Sequence, residues 1–514
     1  MPGIKDYPRV KINFNPYIPP LKKIKDKTKI DVRYSVLSPF AFVHIYWDEK
    51  EYEVLYEIEE PILTETEKNY LEQILPALRD LIDFDVIVEK ETEKLLEYID
   101  KRFKMIAFEL GLNFSYDTYK KLYYYLIRDF VGFNETEPLL RDFFVEDIEC
   151  NGVDSSVYIV HRIFRNLKTN LIFRSMDRLE SFVEKLAQRS GKYISYASPI
   201  LDATLPDGSR VNATYTKDIT SRGPTFTIRK FTKTPWTPPQ LLSFKTLSPE
   251  MLAYLWILVQ YKMNILITGG TSSGKTSLLN AIAFFIPPEA RVVSIEDTRE
   301  LNLPRENWLP SVVRSATGAG NVGEIDLFTL LKSSFRQNPD YVIVGEVRGK
   351  EAYVLFQGMA SGHASISTMH ADSVDTVIKR LETPPIELSP ALLNVLDCVC
   401  IMTHAIAKKQ ETRKLKEIVE IINVTPEGVA LTNTPFIWNP SDDSFYFKKN
   451  SKIFEKIAKR YGITTQELDA EFKIRVKLLY LLYERKVFNY EEFQDIITMY
   501  YKKPQEILSR LGVA

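Results

Sequence analysis

Residues 264–285 read NILITGGTSSGKTSLLNAIAFF: an apolar run, a glycine-rich turn, then an amphipathic stretch, and this order decides how the second half of the chain folds. Four residues separate Gly269 from Gly274, and Lys275 and Thr276 follow. This is the spacing of a phosphate-binding loop set between a strand and a helix. Glycines let successive backbone N–H groups curl around phosphate oxygens, and the helix N-terminus adds partial positive charge. On this reading Gly269, Gly270, Thr271, Ser272, Ser273, Gly274, Lys275, Thr276 and Ser277 form the cradle of a nucleotide. Lys275 would meet the β and γ phosphates, and the Thr276 hydroxyl would ligate Mg²⁺, so ATP and Mg²⁺ are the expected ligands.

Working outward, RVVSIED, YVIVGE, ASISTMH and VCIMTHA are further apolar strand candidates separated by amphipathic segments. That rhythm predicts an α/β domain with a largely parallel sheet covered on both faces. SIEDTRE places Glu296 and Asp297 at a strand end, DYVIVGE places Glu346, and SGHASISTMHA holds His363 and His370. All of these are expected to converge at the carboxyl edge of the sheet, beside the phosphate loop. Gly345 stands where a nucleotide-hydrolysing chain usually carries an aspartate ahead of its glutamate.

The rest of the chain divides around this half. At 514 residues two to four domains are expected. Residues 1–29, rich in proline and lysine, read as a flexible basic arm, either solvated or a tether for a partner or an anionic membrane surface. Residues 30–231 read as an α+β domain. FVHIYW and YEVLYEIE alternate around DEKE as a hairpin, Thr64 and Glu67 form a capping box, helical periodicity runs over about 92–131, and a PDG turn closes another hairpin. TKTPWTPPQ, residues 232–240, reads as a hinge, and 241–514 as the nucleotide domain ending in several helices. With 67 basic and 68 acidic residues the net charge of -1 offers no global attraction to nucleic acid or lipid. Cys150, Cys398 and Cys400 lack the spacing for a disulfide framework or a zinc site, which fits a reducing cytosolic setting. The start has no apolar core of a secretory signal, and no apolar stretch runs uninterrupted for the about 20 residues that span a bilayer.

The succession GGTSSGKT, IEDTRE, LLKSSFRQNPDYVIVGEVRGKEA and SGHASISTMHA resembles the Walker A, Asp box, atypical Walker B and His box of the type II and type IV secretion ATPase superfamily. Upstream, DFFVEDIECNGVDSSVYIVHR, LPDGSRVNATY and TFTIRKF resemble the end of that family's N-terminal domain, so the likeness covers roughly residues 140–430. The upstream segments look most like the archaeal branch, closest to the archaellum motor ATPase FlaI. The resemblance implies a RecA-like C-terminal domain and Mg-dependent ATP hydrolysis. It further implies a homohexamer in the cytoplasm, peripheral to the cell membrane, driving filament assembly or rotation through a membrane platform protein. For the site it implies a metal that keeps much of its water shell, with Glu346 holding it through water and Gly345 leaving room for the neighbouring carboxylate. Glu296 becomes the candidate catalytic base, with Glu346 the competitor. Arg210 and Arg229 match positions that reach the γ-phosphate, although a hairpin flank and a surface ion pair are the plainer roles for them. His370, with His363, would couple phosphate state to domain position, while Arg336 and Arg348 fit either packing or an interface. The chain lacks the tetracysteine insertion of many bacterial type II members and the AIRNLI stretch of retraction ATPases, which moves the expectation toward an assembly or rotary motor. Two alternatives stay open: a DNA-transport ATPase, which would need a basic patch, and a nucleotide-gated scaffold that does not hydrolyse.

Overall fold

The computed structural model describes the chain except residues 1–3, 15, 17–20, 22–23, 25, 82–91, 232–233, 315–322, 408–409, 449 and 513–514. The chain forms two compact units, Met1–Phe231 and Thr232–Ala514.

The first unit is built on nine strands: β1 (Asp31–Leu37), β2 (Ala41–Asp48), β3 (Glu53–Glu59), β4 (Val145–Cys150), β5 (Ser156–His161), β6 (Arg165–Ile172), β7 (Ile200–Thr204), β8 (Arg210–Thr214) and β9 (Thr225–Arg229). They form one sheet in the order β1-β2-β3-β6-β5-β4-β9-β8-β7. β2 and β3 pair antiparallel from Phe42↔Glu59 to Asp48↔Glu53, as the alternation around DEKE predicts. The PDG turn closes β7 onto β8 with Thr204 opposite Arg210. The helix Met176–Arg189 lays Leu179, Phe182, Val183 and Leu186 on the sheet, Phe182 lying 5.0 Å from Phe226 between ring centres. The capping box is present: the Thr64 N–H donates to Glu67 Oε2 (2.9 Å) and the Glu67 N–H to Thr64 Oγ1 (3.2 Å). Tyr119, Tyr123 and Tyr124 of the tyrosine stripe are buried, Tyr119 stacking 5.2 Å from Phe103.

The N-terminal arm differs from its expectation. Ile4 and Val10 are buried in the helical cluster, Tyr7 Oη donates to the Phe114 carbonyl (2.8 Å), Lys104 Nζ donates to the Tyr7 carbonyl (2.8 Å), and Asn13 bridges to Ser38. Composition averaged over 29 residues concealed a few well-spaced apolar side chains that suffice to dock the first part of the segment. Lys22, Lys23 and Lys25 of its lysine cluster lie outside the described residues.

The second unit has strands β10 (Ile265–Gly269), β11 (Val292–Glu296), β12 (Trp308–Val312), β13 (Tyr341–Val344), β14 (Ala364–Met369), β15 (Cys398–Ala407), β16 (Gln410–Val424), β17 (Ala430–Asn439) and β18 (Ser444–Phe447). The order is β12-β11-β13-β14-β10-β15-β16-β17-β18, parallel from β12 through β15 and antiparallel from β15 to β18. β10, β11, β13 and β14 are buried at every position, as expected for strands covered on both faces. One face carries the helices Pro249–Gln260 and Lys275–Ala283 together with the C-terminal helices; the other carries Leu327–Ser334, Glu351–Ala360 and Val374–Glu382. This is a RecA-like P-loop architecture with a largely parallel main sheet.

Two features of this unit depart from the sequence reading. The hinge expected at 232–240 narrows, because Trp236 packs on the unit's core and Thr237 is fully buried. Thr237 there precedes the helix Pro238–Ser243, with its N–H donating to Gln240 Oε1 at 2.8 Å. Prolines at the first helical positions lose no needed N–H, so this proline run starts a helix instead of marking a linker. The antiparallel extension β16–β18 was not anticipated, since its mixed charged and apolar positions carry no clean alternation. Cys150, Cys398 and Cys400 are buried free thiols. Among the described residues no helix is long and apolar enough to cross a membrane.

Glu420 on β16 ties this extension to the rest. Fully buried, its carboxylate accepts from Tyr254 Oη (2.6 Å), Asn433 Nδ2 (2.7 Å), Ser451 Oγ (2.5 Å) and the Lys452 N–H (2.8 Å), so it also sits at the N-terminus of the helix Lys452–Tyr461. Glu420→Ala would orphan all of these donors at once and is expected to lower unfolding stability by about 3 kcal/mol. Urea unfolding of the full chain checks this, with Glu420→Gln, which keeps one acceptor oxygen, falling between the two.

Candidate active site

Because β11, β13, β14 and β10 lie side by side and parallel, their carboxyl ends open on one edge of the sheet. The phosphate loop leaves β10 there. Gly269 has φ +151° and backs onto β15: a Cβ would stand 2.5 Å from the Met402 carbonyl oxygen and 2.6 Å from Ser273 Oγ, so no larger residue fits without moving the strand. Gly274, left-handed at φ +96°, turns the chain into the helix Lys275–Ala283. Ser273 Oγ donates to the Gly270 carbonyl (2.8 Å), and Lys275 Nζ donates to the carbonyls of Gly269 (3.0 Å) and Gly270 (2.9 Å). Gly270, Thr271 and Ser272 are exposed, while Thr276 and Ser277 are half-buried at the helix start. Burial pulls the Lys275 ammonium below its usual range, opposed by the negative charge of Glu346 and Glu300.

Glu296 ends β11 and is 1% exposed. Its Oε1 accepts from the N–H groups of Glu300 (2.8 Å) and Leu301 (2.9 Å), and its Oε2 is buried without a hydrogen-bond partner. Burial pushes this carboxyl up to about 7, with the two backbone N–H groups pulling the other way. Gly345 is what admits it: a Cβ at 345 would lie 3.1 Å from Glu296 Cγ and 3.4 Å from its Cβ. An aspartate at that position would crowd the carboxylate of β11. The turn after Glu296 is held to the phosphate-loop helix by Asn280, whose Nδ2 donates to the Glu300 carbonyl (3.3 Å) and whose Oδ1 accepts from the Asn302 N–H (3.1 Å).

Glu346 follows β13 between two cationic or potentially cationic groups. His370 Nε2 lies 3.0 Å from its Oε1, and Arg348 pairs with its Oε2 at 2.5 Å while reaching Asp297 Oδ2 at 3.7 Å. His370, Glu346, Arg348 and Asp297 thus form a row of linked polar groups across the ends of β14, β13 and β11, alternating in charge only where His370 is protonated. Burial is the largest influence on His370 and holds its pKa below the ordinary imidazole value. His363 does not join them. It precedes β14, stacks on Phe335 with ring centres 4.9 Å apart, and sits at the amino edge, six residues of strand or about 20 Å from His370. The expectation that both histidines reach the carboxyl edge is corrected: two residues that bracket a strand are placed at its opposite ends.

Arg210 and Arg229 belong to the first unit. They face each other across β8 and β9, both exposed, and Arg210 forms a paired contact with Asp202 (Nε–Oδ1 3.1 Å, Nη2–Oδ2 2.8 Å). Arg336 is exposed in the turn Phe335–Gln337. Sequence reasoning left Arg348 undecided and overlooked Asn280 and Glu300. The signals for Arg348 are its fit to the family pattern and its position two residues beyond Glu346, and for Asn280 the placement of an amide one turn into the phosphate-loop helix. Among the described residues no three His, Cys, Asp or Glu side chains gather into a metal cage. A magnesium ion bound through one hydroxyl, phosphate oxygens and water requires none, so Thr276 and Glu346 remain a fitting donor set.

The type II/IV secretion system protein family matches residues 136–422. An uncharacterised protein of Methanocaldococcus jannaschii is 34% identical over 513 residues, covering 94% of this chain and 91% of its own length. The type IV secretion system protein PtlH of Bordetella pertussis is 32% identical over 229 residues, covering 40% of this chain and 67% of its own. Among solved structures, the Legionella pneumophila ATPase DotB aligns with a TM-score of 0.40 at 15% identity, over 70% of this chain and 93% of its own. These likenesses reach the family and stop short of the archaellum branch that the sequence suggested. The chain belongs to the type II/IV secretion system protein family.

Proposed function

We propose that this chain is a Mg-dependent ATPase that works as a homohexameric motor at the inner face of the cell membrane. There it drives the assembly or rotation of an archaellum-type or pilus-type filament through a membrane platform protein. The observation that carries the reading is the meeting of the phosphate loop, Glu296, Glu346 and His370 at one sheet edge, with a buried, unpartnered carboxylate oxygen among them.

In this reading the loop amides and Lys275 bind the triphosphate, Lys275 exchanging the Gly269 and Gly270 carbonyls for phosphate oxygens. Thr276, and Glu346 through water, would hold Mg²⁺, which when bound neutralises charge on the β and γ phosphates. Glu296 accepts the proton of the attacking water at Oε2. A carboxylate near pH 7 in affinity suits that task, since a base works best with a pKa close to the operating pH. Arg348 and His370 hold Glu346 in place. Arg210 and Arg229 supply positive charge to the transition state, where such an arginine is worth about 10³ to 10⁵ in rate. No DNA role is proposed, the near-zero net charge giving no basis for one.

Phosphate-release assays on the two carboxylate variants separate their roles. Glu296→Gln should keep Mg-ATP binding and lose turnover by at least 100-fold, while Glu346→Gln should raise the Mg²⁺ concentration needed for half-maximal rate. Loss of turnover in Glu346→Gln alone, with binding intact in both, would reverse the assignment.

Below a pH of about 7 Glu296 holds its proton and cannot accept another, so kcat/KM should fall roughly tenfold per pH unit on the acid side and level off above. Glu296→Gln should erase that limb.

If neighbouring subunits complete the site, activity per chain should climb between nanomolar and micromolar protein and track the hexamer seen by light scattering. A flat profile would argue for a self-sufficient monomer.

A further inference from the structure

The hairpin of β15 and β16 extends beyond the nucleotide edge of the sheet. β10 ends with Gly269 opposite Met402, so the remainder of β15 continues past that point beside the phosphate loop, and β16 returns antiparallel to it. Two side chains of this pair abut the loop at its last glycine. A Cβ on Gly274 would lie 3.4 Å from Met402 Cε, 3.6 Å from Arg413 Cδ and 3.9 Å from Arg413 Cβ. The stem of Arg413 therefore runs along the residue that turns the loop into its helix, and Cδ is the carbon to which the guanidinium is attached.

Strand alternation sorts the two consecutive cations here. Lys414 is buried, donates to the Lys245 carbonyl (2.8 Å) and pairs with Asp443 Oδ1 (2.7 Å). Arg413, one residue earlier, takes the other side and remains half-buried against the loop. Lys275 meanwhile is directed at the Gly269 and Gly270 carbonyls, at the start of the loop, while Arg413 lies at its end.

We propose that Arg413 is a nucleotide-binding residue whose guanidinium contacts the phosphate chain held by loop 269–276. The inference rests on the reading of that loop as an ATP site. The planar fork of a guanidinium can give two N–H bonds to one phosphate group, whereas a lysine gives a point charge. The left-handed backbone of Gly274 favours glycine, and its bare Cα leaves room for the arginine stem, whose Cδ lies 3.6 Å from where a Cβ would stand.

Isothermal titration of the full chain with Mg-ATP and with inorganic pyrophosphate, for the unsubstituted protein, Arg413→Ala and Arg413→Lys, tests this. Arg413→Ala should weaken both ligands about tenfold or more, beyond what any change in the melting temperature of the free protein accounts for, and Arg413→Lys should recover part of the loss. Unchanged affinities would overturn the proposal, as would a loss confined to ATP, which would place the contact on base or ribose. A drop in melting temperature that accounts for the weakened binding would make Arg413 a structural prop instead. Absence of binding by the unsubstituted protein would overturn the ATP-site reading and this inference with it, so the two failures are distinct.

Discussion

Glu296 lies buried at the sheet edge, packed close against a residue with no side chain, Gly345. A Cβ at 345 would stand 3.1 Å from Glu296 Cγ, so the ends of β11 and β13 are closely packed at this point. A side chain at 345 would meet Glu296 Cγ at 3.1 Å, so one of the two would have to shift by a few tenths of an ångström. With glycine there, β11 provides the buried carboxylate and β13 provides Glu346, one residue further on. The packing of side chains at this edge thus depends on a residue without a side chain at 345.

The row from His370 through Glu346 and Arg348 to Asp297 is the electrostatic counterpart of that steric arrangement. Glu346 and Asp297 carry like charge, and the arginine between them pairs with both. Arg348 is more than half exposed on its side chain, so the row is screened on one side and its members can exchange partners.

The central half of the fold was readable because strands buried on both faces appear as unbroken apolar runs, and because the loop GGTSSGKT punctuates them at a fixed place. The same reading put Glu296 at a strand end and Glu346 just beyond one, where β11 and β13 carry them. It misplaced His363, which begins one. It passed over β16, β17 and β18, where charged residues such as Glu420 and Lys414 point inward and defeat any alternation rule. It also judged residues 1–29 by average composition, although Ile4 and Val10 dock by specific contacts that an average cannot register. Arg348 and Asn280 were illegible for a further reason: their roles depend on turns that bring residues of different strands within reach, and no local pattern records such a meeting.

Arg475 in the helix Thr465–Glu484 is wholly buried, its guanidinium 4.6 Å from the Trp256 ring and 5.5 Å from that of Tyr500, and Tyr501 Oη accepts from Trp256 Nε1 at 2.9 Å. Trp256 lies in the helix that leads directly into β10. One buried cluster of aromatic rings and a guanidinium thus joins the last helices of this unit to the helix that leads into the strand carrying the phosphate loop.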